Sequence, residues 1–335
     1  MSDLLAIQPH KVSRDLSGYI TYIYGAGKTG KTTLASQMDK ALLVAFERGY
    51  NAIPGILAKD VTSWSQFRKE VVKELKKPEV KEAFKCIVID TIDIAASLCE
   101  KYICTQNGIE ELGELGWGKG WKLMKKEFEE TFRSITQMGY ALFFISHAKN
   151  STFTREDGSE YNKIIPSLGQ TYNEIIKNMS DIYGYAHQIV DASGSTSVVL
   201  TLRSKDGSID TGCRFKYIAP EIPFDYQSLV DALNEAIDKE ASITNGKFVT
   251  NTPIAPIVQQ ELNFDDLMGE FQSIVGKIQD SVSGEEFNQN WAPRIVEITD
   301  RILGKGKRVA DMTRDQAELL DLIVSDLKEA VGEGL

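Results

Sequence analysis

Residues 25–33, Gly25-Ala26-Gly27-Lys28-Thr29-Gly30-Lys31-Thr32-Thr33, carry the plainest chemistry in the chain. The first eight fit G-x-x-x-x-G-K-[ST] without deviation, the pattern whose backbone N–H groups curl around a phosphate chain. Glycines permit that curl, and the start of the following helix favours negative charge. Lys31 reaches the β- and γ-oxygens, while the Thr32 hydroxyl is a ligand for Mg²⁺. A chance match in a turn rich in Gly, Lys and Thr would lack the right flanks. Here Tyr19–Tyr24 reads as a buried strand before the loop and Lys31–Ala35 as the start of a helix after it. Mg-ATP is the expected cofactor. Lys28 either adds charge near the γ-phosphate or is an exposed loop lysine.

Three further residues end apolar strands, where a ligand crevice forms in an open parallel sheet. Asp90 closes KCIVID and stands where a second acidic residue holds Mg²⁺; a helix N-cap is its plainer use. Asp93 reads as a first-turn helix acid. Glu47 ends ALLVAF, the strand after the loop helix, where a carboxylate polarises an attacking water as general base or is simply an exposed charge. His147 follows YALFFIS and can face the γ-phosphate, reporting its presence to the next loop, or be structural.

The elements that must position these groups alternate. After ALLVAF comes a helix from about Ser63, with Ser63 and Gln66 at capping-box spacing and Trp64, Phe67, Val71 and Leu75 on one face. KCIVID leads to a helix over about 92–104, and a glycine-rich stretch leads to an amphipathic helix burying Leu123, Phe128, Phe132 and Ile135. Strands alternating with helices predict an α/β fold with a mostly parallel sheet covered on both faces. From about 181, DIYGYAHQIV, SVVLTLRS and CRFKYIA read as strands extending the sheet in antiparallel manner, before a helix over about 226–239. These readings divide the chain into a core over 1–240, a linker over 241–261 and a small acidic helical domain over 262–335, with Phe264, Leu267, Phe271, Ile274, Ile295, Ile298, Ile302, Leu319, Leu322 and Ile323 as its apolar face.

Composition removes several classes. With 335 residues, 42% hydrophobic and 26% charged, the chain is an ordinary globular protein rather than a disordered one. No apolar run approaches the ~20 residues of a membrane span, and the first fifteen residues lack a secretory pattern. Cys86, Cys99, Cys104 and Cys213 form no C-x-x-C pair, so a reducing cytoplasm is expected. Net charge is −10, of which 262–335 contribute −7 (fifteen acidic, eight basic residues), so the remainder is close to neutral and free to bind a polyanion where lysines cluster.

Together GAGKTGKTT, Glu47, VID at 88–90 and SHAK at 146–149 resemble the RecA-like ATPases, more narrowly the phage-encoded recombination and single-strand-annealing members, over roughly residues 15–240. That resemblance implies a RecA-like P-loop core in which Lys31, Glu47, Asp90 and His147 are catalytic; the family usually has Gln at the sensor, and His147 departs from it. It implies two DNA-binding loops. The first matches about 108–121 and offers Trp117, Lys119 and Trp121; the second matches about 149–166 and offers Lys149, Phe153, Arg155 and Lys163. Arg203 with Lys205, and Arg214 with Lys216, are alternate-residue basic pairs on predicted strands, each pair projecting from one face; the resemblance also implies a homo-oligomer, ring or filament, whose neighbour receives Arg214 or Lys216 as a trans finger. The expected function is an ATP-hydrolysing, single-stranded-DNA-binding recombination or annealing protein in the (host) cytoplasm. Two alternatives stand: a helicase loader or other ATP-driven replication switch acting on a protein partner, and a small-molecule kinase. The acidic C-terminal region would recruit replication or recombination proteins or restrain DNA binding by mimicking its charge.

Overall fold

The computed structural model describes residues 7–252 and 262–334. The chain divides into two compact units, Met1–Val258 and Gln259–Leu335. The strands are β1 (Val12–Ser13), β2 (Thr21–Gly25), β3 (Ala41–Ala45), β4 (Ala58–Asp60), β5 (Cys86–Asp90), β6 (Ala141–Thr154), β7 (Glu160–Pro166), β8 (Ile182–Val190), β9 (Thr196–Thr201), β10 (Gly212–Cys213), β11 (Glu221–Pro223) and β12 (Val249–Thr250). The helices of the first unit are α1 (Lys31–Ser36), α2 (Trp64–Gln66), α3 (Pro78–Ala83), α4 (Ile92–Asn107), α5 (Lys119–Gln137), α6 (Gln170–Met179) and α7 (Tyr226–Ile243).

Among the described residues the central sheet runs β11-β9-β8-β2-β6-β5-β3-β4. The pairs β8–β2, β2–β6, β6–β5, β5–β3 and β3–β4 are all parallel. Alternation places Tyr22, Tyr24, Ile87 and Ile89 in the core under α4, α5 and α6, and Ile23, Cys86 and Val88 in the core that includes Leu34 of α1 and Leu229 of α7. Both faces are therefore dry, which is why these strands read as continuous apolar runs. Trp64, Phe67, Val71 and Leu75 are buried as their spacing predicts, although only 64–66 is α-helical before a π-helical turn over Phe67–Val72. Ser63 caps that helix by accepting from the Gln66 N–H at 3.2 Å.

Four expectations about layout are corrected. β8 pairs with β2 in parallel, and only β9, β10 and β11 run antiparallel to their neighbours in this part of the sheet. CRFKYIA is not a strand beyond Cys213; the Arg203 guanidinium turns inward to the carbonyls of Cys213 and Phe215 and braces a loop, so no row of cations projects from one face. The second expected DNA loop is an antiparallel hairpin: β6 continues past the sheet edge and pairs with β7 from Ala148↔Pro166 to Thr154↔Glu160. The expected linker is in part structured, since α7 runs through Ile243 and β12 pairs in parallel with β1; residues 253–261 of it lie outside the described residues.

The second unit is helical: α8 (Phe264–Ser281), α9 (Gly284–Glu286), α10 (Ala292–Leu303) and α11 (Ala317–Gly334). Ile278, Trp291, Ile298, Leu320, Ile323, Val324 and Leu327 form its core. Ile323 is buried as expected, but Leu319 and Leu322 are exposed, at 36% and 49%. The face of α11 runs 320-323-324-327, one position away from the expected register, because the apolar residues Leu319, Leu320, Leu322, Ile323 and Val324 fit two helical stripes and packing selects one.

Asp210 organises the base of the hairpin. It accepts from Lys163 at 2.8 Å, from Lys177 at 2.8 Å and from the Tyr183 hydroxyl at 2.9 Å. Burial pushes its carboxyl up, but the bonds from the two lysines outweigh burial and hold it below the ordinary carboxylate range. A depressed native pKa supplies stability that is present above the unfolded value and lost as pH falls through the native one. Wild type should therefore melt above Asp210→Asn near neutral pH, and that gap should narrow as the pH is taken down past the ordinary aspartate value of about 3.9. Parallel melting curves at every pH would remove Asp210 from this role.

Candidate nucleotide site

The loop between β2 and α1 is shaped by its glycines. A Cβ on Gly25 would meet the Ala186 carbonyl oxygen at 2.3 Å, so β2 and β8 can approach at this level only with glycine there. Gly30 has φ +88°, in the left-handed region where a side chain is strained. Lys31 is buried to 6% exposure, and its ammonium donates to Gly25 O at 2.9 Å, Ala26 O at 2.6 Å and Thr29 Oγ1 at 3.3 Å. Burial lowers its pKa, with Asp90, Glu47 and Asp93 opposing in that order. Lys28 also takes positive φ, +64°, and is exposed. Thr33 is exposed at the start of α1, and open space surrounds Gly27.

Asp90 ends β5 with its carboxylate directed at the loop: Thr32 Oγ1 donates to Asp90 Oδ2 at 2.7 Å. Burial raises the Asp90 pKa and Glu47 adds to it, against the Thr32 bond, Lys31 and His147. A half-buried hydroxyl and a buried carboxylate brought together beside the loop are the hard oxygen donors that suit Mg²⁺. Two more oxygens beside them, Thr91 Oγ1 and Asp93 Oδ2, are buried without a hydrogen-bond partner. The residues present thus fit a nucleotide-borne Mg²⁺ held by Thr32 and Asp90.

Glu47 reaches the same place from further off than its position in the sequence suggests. β3 is separated from the loop strand by β5 and β6, not adjacent to it. The Phe46 and Glu47 amides both donate to Asp90 O, at 2.7 and 3.3 Å, which fixes the end of β3 against the end of β5. His147 sits on β6 opposite Gly25, and its Nε2 lies 3.6 Å from Glu47 Oε1. Both side chains are partly exposed, at 41% and 35%, as groups that handle a substrate must be. Four strand ends thus bring Lys31, Thr32, Asp90, Glu47 and His147 to one edge of the sheet.

Asp93 is a first-turn acid of α4, and it does more than cap. Its Oδ1 accepts from Ser146 Oγ at 3.1 Å and from Ser167 Oγ at 2.5 Å, so α4, β6 and the segment after β7 share one carboxylate. Sequence reasoning also passed over Tyr185 and His187, alternate residues near the end of β8. Their rings stack at 4.8 Å and 10°, and with Ala26, Gly27, Thr29 and Gln188 they line a cavity of about 380 Å³ on the β8 side of the loop. Asp90 and Glu47 do not line this cavity.

The expected DNA contacts scatter. Trp117 is fully exposed in a turn at φ +47°, but Lys119 and Trp121 belong to α5 rather than to a loop. On the hairpin, Phe153 and Tyr161 face each other at 5.8 Å with Arg155 4.6 Å from the Tyr161 ring, and Lys149 donates to Ser167 O at 3.3 Å. Lys163 is withdrawn from a contact role, because Asp210 takes its charge. Arg214 pairs with Asp181 at 3.1 Å and donates to Asn178 O, while Lys216 lies 5.0 Å from the Tyr217 ring. Asp181 bonds to Ile20 before β2 begins, so Arg214 lies at the end of the sheet opposite the phosphate loop.

Residues 17–214 match a family described as an AAA domain. Over 341 aligned positions the chain is 29% identical to the SPbeta prophage-derived uncharacterized protein YorG of Bacillus subtilis (strain 168), covering 99% of each chain. No helix among the described residues is long and apolar enough to cross a membrane.

Proposed function

The chain belongs to the AAA domain family, and from that premise we propose that it hydrolyses ATP to drive a β-hairpin that grips single-stranded DNA, as a phage-encoded recombination or annealing ATPase does. One observation carries this reading. The strand that bears His147 at the nucleotide site continues without a break into the hairpin over Ala148–Pro166.

Lys31 binds the β- and γ-oxygens from beneath the loop, and Tyr185 with His187 offers a stacking surface to the base. Thr32 and Asp90 would hold Mg²⁺, which would supply charge neutralisation at the phosphates. Glu47 accepts the proton of the attacking water, and His147, beside it, registers whether a γ-phosphate is present. Three ties pass that state to the hairpin base: Ser167 N to His147 O at 2.8 Å, Ser167 Oγ to Asp93, and the Tyr24 hydroxyl to the carbonyls of Ile164 and Asp210. At the far end Phe153, Tyr161 and Arg155 combine ring faces with a cation, the pairing that stacks bases and contacts phosphates. The prophage relative supports a phage origin and hence the host cytoplasm. We include head-to-tail assembly in this reading, with Lys216 the freer of the two cations offered to a neighbour's nucleotide.

Phosphate release with and without oligothymidylate tests the coupling. Wild type should be stimulated by the oligonucleotide; His147→Ala should keep ATP affinity within about twofold and lose most of the stimulation, since it removes the sensing imidazole and leaves the main-chain ties to the hairpin in place. Normal stimulation of His147→Ala would make His147 a packed residue. Stimulation by a replication protein in place of DNA would favour the loader alternative.

A further inference from the structure

The helical stretch after Ser63 has a second face. Its buried side carries Trp64, Phe67, Val71 and Leu75, so Ser65, Lys69, Lys73 and Lys76 are turned outward together, with the partly buried Val72 at their base. With Arg68 and Tyr102 of α4 they line a groove of about 540 Å³ that has no carboxylate in its walls. The acids of the same stretch are committed elsewhere: Glu70 pairs with Lys59 at 2.5 Å and Glu74 with Lys77 at 2.5 Å. Glu127 takes Arg68 through two bonds, at 3.0 and 3.1 Å. Among the described residues Lys69, Lys73 and Lys76 carry no ion pair, on an otherwise acidic chain, although Glu70 lies near enough to feel the Lys69 charge.

We propose that this groove is a second binding surface for the sugar-phosphate backbone of single-stranded nucleic acid, separate from the hairpin. The lysines lie at i, i+4 and i+7 and line the groove together, so they offer a row of charges to a linear polyanion rather than a single point to one compact anion. Tyr102 and Val72 give the same groove an apolar wall against which a base can lie, and a charged channel with an aromatic wall is the arrangement that tracks a single strand. An acidic peptide would engage the lysines without a use for the ring. This inference rests on the single-strand reading above and adds a contact that the resemblance to RecA-like proteins does not supply.

The test uses the full chain and fluorescein-labelled oligothymidylate, followed by anisotropy across a salt series. Lys69→Gln/Lys73→Gln/Lys76→Gln should lose about tenfold in affinity, and the slope of log K against log salt should fall by about 2, the share of three single-strand phosphates. Basal ATP hydrolysis should stay unchanged, because none of the three touches the nucleotide site, and the triple Lys→Arg variant should restore the slope. If wild type binds the oligonucleotide and the Gln variant matches it in affinity and slope, the groove is rejected while the hairpin reading stands. If wild type binds no oligonucleotide in any nucleotide state, both fail together. Loss of polyglutamate binding with oligonucleotide binding intact would overturn the proposal in favour of an acidic protein partner.

Discussion

Glu47→Gln is expected to bind Mg-ATP as tightly as wild type, within about twofold, and to turn it over more slowly by about 10²–10⁴, the range that a positioned general base contributes. The substitution is nearly isosteric and leaves the backbone ties in place, since it is the Phe46 and Glu47 amides that hold the end of β3 to Asp90 O. What it removes is a proton acceptor at the edge where Thr32, Asp90 and His147 converge. Asp90 cannot substitute, because its carboxylate is occupied by the Thr32 hydroxyl and faces the metal position. Single-turnover phosphate release should fall while binding of a fluorescent nucleotide does not, and that split separates a base from a residue that merely shapes the pocket. Equal turnover in the two proteins would return Glu47 to an exposed strand-end charge.

Locally encoded features of this site were legible, and features made by pairing across the chain were not. The phosphate loop declares itself because glycines, Lys31 and Thr32 act within one turn of chain, and Asp90 follows because its strand is a clean apolar run. Glu47 and His147 were each visible as strand ends, yet their 3.6 Å approach depends on the order β3-β5-β6-β2, which no local pattern states. The hairpin escaped because both its faces are largely solvated: Asn150, Ser151, Thr152 and Thr154 show no alternation of apolar and polar residues, so the stretch reads as loop. Lys163 and Arg214 looked free for the same kind of reason. Their partners Asp210 and Asp181 lie 47 and 33 residues away in the sequence. Tyr185 and His187 sit at alternate positions on the strand flanking β2, a signal that acquires meaning only once β8 is known to run parallel to β2.

Lys31→Ala is expected to abolish nucleotide binding, the largest effect any single substitution here should produce. The lysine cannot be replaced by its neighbour, because Lys28 is exposed on the outside of the loop while Lys31 is buried beneath it. Two losses combine in this variant. The cation that meets the β- and γ-oxygens goes, and so do the bonds to Gly25 O, Ala26 O and Thr29 Oγ1, leaving Ala26 O with only the Thr29 hydroxyl as side-chain donor. Thermal unfolding with and without Mg-ATP reads out the binding directly, since a ligand at a hundred times its Kd stabilises the native state by about 2.7 kcal/mol. Wild type should show that shift and Lys31→Ala should show none. Asp90→Asn isolates the metal's share, because it keeps the lysine and the loop bonds but weakens the hold on Mg²⁺. Its shift should persist with ATP alone and gain little from added Mg²⁺. A full Mg-ATP shift in Lys31→Ala would mean that the nucleotide sits elsewhere, and the convergence of Asp90, Glu47 and His147 on this loop would then need another ligand.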